Sequence, residues 1–239
     1  MTTWTPRALA SNTHPFTSEI WRVVEAQHVV STMRLVDSLA EQTVLESILE
    51  ESKPPLPPDV EDLHYLLSTP FRYRTAIGSR FRAPFDPCVW YGAEEMRTAL
   101  AEKSYWRLRF LLDSPNTPDL GPVPHTAFTA SIRAAAVDLR RSPFARDRAL
   151  WTDRNNYAPT QAFAALAREV HVQAIRYQSV RDPEVGGCAA VLTPEAFAAR
   201  NPRKQETWFI AATRARVRCA QELRTAVGWE FTHEELAGS

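Results

Sequence analysis

Four arginines, Arg72, Arg74, Arg80 and Arg82, fall within eleven residues, and the segment they begin runs on through Trp90, Tyr91 and Gly92 to a lone carboxylate, Glu102. Guanidinium groups present a planar fork of donors that stays charged, which suits phosphate oxygens. An aromatic side chain can stack on a flat ring, and a carboxylate on a helix can accept ribose hydroxyls or steady a cationic sugar. Together these types suit a ligand that carries both phosphates and a flat ring, as a dinucleotide does. The alternative is a solvated, charged loop. Gly78, which permits close backbone approach, and the aromatic run that follows favour the ligand.

Glu102 ends the segment Met96-Arg97-Thr98-Ala99-Leu100-Ala101-Glu102, whose small residues allow a helix to pack closely on a sheet. An exposed helix glutamate is the plainer reading of any single Glu, and a core position is the plainer reading of Tyr91. Ser179 closes an apolar run just before a turn-rich stretch, a place where a rigid strand positions a side chain and a loop leaves it accessible. A turn serine is its alternative. No GxSxG elbow surrounds it, and neither a P-loop nor GxGxxG occurs. His125 and His171 lack partners at ligand or triad spacing.

The elements that must position these residues read as α+β. Apolar residues from Ser18 to about Glu51 recur at helical spacing, predicting one long helix or two in series, with a break at Ser38, where Glu41 completes a capping-box pattern. The proline run from 54 to 58 ends that region, so residues 1–58 are expected as a helical extension and 59–239 as the main domain. Within the latter, helices are expected near 60–67, 94–103, 160–170 and 218–227. Strands are expected at 88–91, 105–112, 128–132, 136–139, 172–177, 188–192 and 208–213, with a loop at 116–124.

Composition narrows the partners. The 239 residues carry 28 Lys+Arg and 28 Asp+Glu, so no bulk attraction to nucleic acid or anionic membrane is expected. A hydrophobic share of 44% with 7 Trp is that of a folded domain. The 3 cysteines are far apart, without CxxC or a His at metal-ligand spacing, which reads as buried thiols in a reducing compartment and no metal site. No leader-like segment or membrane-length apolar run is found, so the cytoplasm is the expected address.

The combination resembles the RES-domain family, bacterial toxins named for an Arg, a Glu and a Ser. The matching segments are Phe71-Arg72, Ser79-Arg80-Phe81, Trp90-Tyr91-Gly92-Ala93, Ala99-Leu100-Ala101-Glu102 and Ile175 to Arg181, across about residues 70–195. The resemblance implies a mixed-sheet body like that of ADP-ribosyltransferases and an enzyme that splits the nicotinamide–ribose bond of NAD by phosphorolysis or hydrolysis. NAD is then a substrate, with inorganic phosphate as a co-substrate in the first case. Arg80 and either Arg72 or Arg74 hold the pyrophosphate or its ribose, Tyr91 faces the nicotinamide, Glu102 binds ribose and Ser179 orients it. It also implies a cognate antitoxin with a helix-turn-helix domain. Protein ADP-ribosyl transfer from the same pocket, and an inactive interaction module, are the rival expectations. The apolar stripe of the N-terminal helices leaves a homo-oligomer open.

Overall fold

The computed structural model describes residues 4–26, 36–223 and 227–238. Among the described residues there are eight strands: β1 (His14–Glu25), β2 (Trp90–Ala93), β3 (Asp119–Asp138), β4 (Ala174–Gln178), β5 (Gly187–Val191), β6 (Gln205–Thr213), β7 (Arg216–Gln221) and β8 (Gly228–Thr232). The α-helices are α1 (Pro6–Ser11), α2 (Leu39–Glu51), α3 (Tyr65–Arg72), α4 (Met96–Leu112), α5 (Arg148–Trp151), α6 (Ala158–Glu169) and α7 (His233–Ala237). The α+β class and the mixed sheet are as expected.

The strands form one sheet in the order β1-β2-β5-β4-β3-β6-β7-β8, and β1 also pairs along β3. β3 is antiparallel to β1 over Glu25↔His125 to His14↔Ala136, antiparallel to β6 over its first half, and parallel to β4 at its end. The strands β3, β4, β5, β2 and β1 therefore close on themselves, while β6, β7 and β8 extend the other half. The closure is weakest between β1 and β2, which meet at the single pair Trp21↔Ala93. Gly92 permits that approach, since a Cβ there would stand 2.6 Å from an Ile20 methyl and 2.7 Å from the Trp21 carbonyl.

Two apolar cores flank the sheet. Ile20, Phe128, Ala130, Ile132 and Trp90 belong to one, with Leu66 and Leu67 of α3. Val23, Ala127, Val137 and Tyr177 belong to the other, with α4 and α6. Residues 14–25 form a strand that is buried at Phe16, Ile20 and Val23, exposed at Thr17 and Glu19, and covered on both faces only near Trp21–Val24. This corrects the expected helix over 18–25. Phe16, Ile20 and Val24 are spaced by four, which puts them on one face of a helix and equally on one face of a strand. The part of that helix on 27–35 lies outside the described residues. From Ser38 onward the expectation holds: its hydroxyl accepts the Glu41 N–H at 3.2 Å and starts α2. The first 58 residues are thus not helical throughout, and their strand is part of the main sheet.

Three further corrections have simple causes. Residues 105–112 continue α4, because Ala101, Ser104, Leu108 and Leu111 are buried at helical spacing. Residues 119–124, read as loop from their Gly and Pro, begin β3, which accommodates them with a register irregularity between Leu120 and Val123. Residues 216–221 form β7, with Val217 and Cys219 buried between exposed Arg216 and Arg218. Of the expected helix at 218–227, residues 224–226 lie outside the described residues. Among the described residues no helix is long and apolar enough to cross a membrane.

Candidate active site

The seam between β1 and β2 opens into a cleft of about 340 Å³, bounded by β1, β2, α4, the 79–80 loop and the end of β4. Volumes of this order suit part or all of a small ligand. One stripe of α4, Ala99, Glu102, Lys103 and Trp106, lines it at the i, i+3, i+4, i+7 spacing of a single helix face.

Glu102 accepts a 2.6 Å hydrogen bond from the Ser179 hydroxyl on Oε1. Ser179 is 1% exposed, and its oxygen in turn accepts the N–H groups of Arg181 at 3.1 Å and Asp182 at 3.0 Å. Seventy-seven residues apart in sequence, the two side chains are one unit. Burial pushes the Glu102 carboxyl above its ordinary pKa; the Ser179 hydrogen bond, Arg80 and Arg181 pull it back, and Asp182 pushes it up. It is a carboxylate poised in low dielectric.

Arg80 is 8% exposed and lines the cleft. Its Nη1 donates to the carbonyls of Trp151 and Asp153, both at 2.9 Å, and its guanidinium lies 4.7 Å from the centre of the Tyr157 ring. α6 holds the loop that carries it: Gln161 donates to the Ser79 carbonyl at 3.0 Å and the Arg82 carbonyl at 3.2 Å. Tyr91 adds a second hold. Its hydroxyl meets the Ser79 hydroxyl at 2.8 Å and accepts the Phe81 N–H at 3.0 Å, so its ring lines the cleft while its oxygen pins both sides of Arg80.

The other three arginines of the cluster do not reach the cleft. Arg72 pairs with Glu50 of α2 at 2.6 Å and donates to the Pro54 carbonyl, Arg74 is exposed, and Arg82 is buried against Thr75 and the Ile77 carbonyl. Neither Arg72 nor Arg74, the expected alternatives for a second pocket arginine, lines this cleft. α3 ends at Arg72 and turns it toward α2.

The cations that accompany Arg80 come from elsewhere. Arg22 on β1 donates to the Tyr91 carbonyl at 3.0 Å, and Arg181 donates to the Arg154 carbonyl at 3.0 Å while lying 3.5 Å from the centre of the Tyr105 ring. Both line the cleft, as does Lys103. Burial lowers Arg22 to about 10, which still leaves it charged at neutral pH, and burial lowers Lys103 as well. Arg22, Arg80 and Arg181 are all held by main-chain carbonyls, and among the described residues none forms a salt bridge with a carboxylate. Three un-neutralised guanidiniums facing one carboxylate make a cavity suited to an anion. Sequence reading missed Arg22 because it lay in a segment read as helix. Arg181 stood in the motif with Ser179, and that adjacency was the available signal.

No group of three or more His, Cys, Asp or Glu among the described residues is arranged to hold a metal. A family model described as RES domain matches residues 56–211, more than half of the chain. The match contains Arg80, Tyr91, Glu102 and Ser179 and leaves β1 outside. No curated protein matches the chain significantly. Among solved structures, a chain of the M. tuberculosis MbcT–MbcA toxin–antitoxin complex is similar at 14% identity and a TM-score of 0.49, covering 86% of this chain and 92% of that one.

Proposed function

The chain belongs to the RES domain family, and from that premise we propose that it is a NAD-consuming enzyme that cleaves the bond between nicotinamide and ribose. The observation that carries the proposal is the pairing of buried Ser179 with the half-buried Glu102 carboxylate on the wall of a cleft lined by Arg22, Arg80 and Arg181. A dinucleotide offers what that wall asks for: a pyrophosphate for the guanidiniums and a sugar for the carboxylate.

The chemistry needs no strong nucleophile from the protein. When the C1′–N1 bond breaks, its electron pair moves to the nicotinamide nitrogen and cancels the pyridinium charge. Positive charge is left on C1′ and the ring oxygen of ribose. The Glu102 carboxylate opposes that charge in the transition state, and Ser179 holds its Oε1 in one place. The acceptor then gives a lone pair to C1′. Water, in forming the product hydroxyl, releases a proton to solvent, whereas hydrogen phosphate forms the C1′–O bond directly.

Glu102 lines the cleft while Ser179 is buried behind it, and we take phosphate or water as the acceptor that enters beside the sugar. An enzyme that drains NAD harms its own cell, so the protein acts as a toxin restrained by a cognate antitoxin. Incubating the purified chain with NAD labelled in the adenylate half, with and without inorganic phosphate, tests the reading. ADP-ribose 1″-phosphate marks phosphorolysis and free ADP-ribose marks hydrolysis. Label retained on protein favours transfer to a side chain, and intact NAD rejects the proposal.

A further inference from the structure

The turn after Ser179 is gripped by the same helix that carries Glu102. Thr98 and Glu102 are one turn apart on α4, and both reach it. The Thr98 hydroxyl donates to Asp182 Oδ2 at 2.7 Å, and the Arg97 guanidinium donates to Asp182 Oδ1. Asp182 also accepts the Glu184 N–H at 3.1 Å, and its side chain is 2% exposed. The turn closes on itself through Ser179 N–H to the Gly186 carbonyl at 2.8 Å and Val185 N–H to the Asp182 carbonyl at 2.9 Å. Gly186 is where the helix comes closest: a Cβ there would stand 2.0 Å from the Thr98 hydroxyl and 2.7 Å from Asp182 Oδ2. The approach is so close that no side chain fits between.

We infer that Asp182 is a positioning residue, which through Thr98 fixes the turn that presents the Ser179 hydroxyl to Glu102. The Asp182 carboxylate touches neither the cleft nor Glu102's hydrogen-bonding oxygen. Its effect passes through its own N–H and that of Arg181, both of which donate to Ser179 Oγ and turn that hydroxyl's proton toward Glu102. Thr98 and Asp182 are both buried, so water cannot replace the bond between them without opening the packing. This inference rests on the reading of Glu102 as the group that acts on the sugar.

Thr98→Val keeps the side-chain shape and removes the donor. It is expected to lower kcat for NAD loss about tenfold while leaving KM nearly unchanged, and Thr98→Ser is expected to restore it. The acid limb of the pH profile gives a reading that packing alone does not move. Glu102 is faced by Arg80, Arg181, Asp182, Tyr177 and Cys188. A loosened Ser179 bond moves the limb to higher pH in Thr98→Val. Asp182→Asn keeps an oxygen for Thr98 but removes a negative charge, and moves the limb lower. A wild-type kcat and limb in Thr98→Val, or a limb that falls in both variants, overturns the inference. Amide exchange separates this result from failure of the enzymatic reading. The Arg181 and Asp182 amides must exchange faster in Thr98→Val than in wild type and Thr98→Ser, whether or not NAD is consumed, and equal rates overturn the inference.

Discussion

Replacing Glu102 by Gln removes one charge and keeps the size and one carbonyl oxygen, so it isolates the electrostatic contribution. At an effective dielectric of about 20 and a separation of about 4 Å, a carboxylate and a ribosyl cation attract by about 4 kcal/mol. Arg80 and Arg181 oppose part of that field, and the sugar carries less than a full charge in the transition state. About 3 kcal/mol is left, which corresponds to a loss of about 150-fold in kcat. The effect should fall on kcat, because the ground-state sugar is neutral. Stability moves the other way. Burial holds the folded-state pKa of Glu102 above its ordinary 4.5, so the favourable protonated form is fully present below that value and is lost as pH rises through the folded pKa. Glu102→Gln therefore melts at a higher temperature than wild type at neutral pH, and the gain disappears below about pH 4.5. Initial rates of NAD loss at saturating substrate, with thermal melts at both pH values, read both effects. A variant that keeps more than about a third of wild-type kcat, or that melts lower at neutral pH, refutes the reasoning.

Arg80→Ala should raise KM for NAD about tenfold or more through loss of a charged donor; an unchanged KM argues against a phosphate role. Trp106 stands at the cleft lip, 57% exposed and one turn beyond Glu102, so Trp106→Ala should raise KM for NAD and spare nicotinamide mononucleotide. Equal effects on the two substrates would speak against stacking on the second base. His125 is fully buried, with its pKa lowered by burial from 6.5 to about 4, so the stability it contributes is present above pH 6.5 and lost as pH falls toward 4. The loss amounts to about 3 kcal/mol. His125→Asn should flatten the denaturation midpoint across that window, and an unchanged slope would count against it.

Glu102 and Ser179 could be singled out in the sequence, but each taken alone read more plainly as an exposed helix glutamate and a turn serine, and only the family resemblance joined them. Glu102 and Ser179 stood out through a small-residue helix and a strand end, and folding brings them to 2.6 Å. Arg80 was legible as one of four arginines, yet nothing local distinguished it from Arg72. The difference is tertiary: α2 supplies Glu50 to Arg72, while the Trp151–Asp153 loop supplies carbonyls to Arg80. β1 was misread because Ile20, Val23 and Val24 also fit one helical face, and the period-two pattern is confined to its first half, where exposed Thr17 and Glu19 alternate with Phe16, Ser18 and Ile20. That error hid Arg22, which reaches the cleft only because β1 lies beside β2. The second half of α4 was misread for the opposite reason, since its aromatic and basic residues alternate locally while its buried positions follow the helix.

Release of free nicotinamide from NAD by the purified chain is the most direct measure of the central claim. One nicotinamide is expected for every NAD lost, with release suppressed about 150-fold in Glu102→Gln. NAD that stays intact with wild-type protein, or nicotinamide released equally by Glu102→Gln, would contradict it.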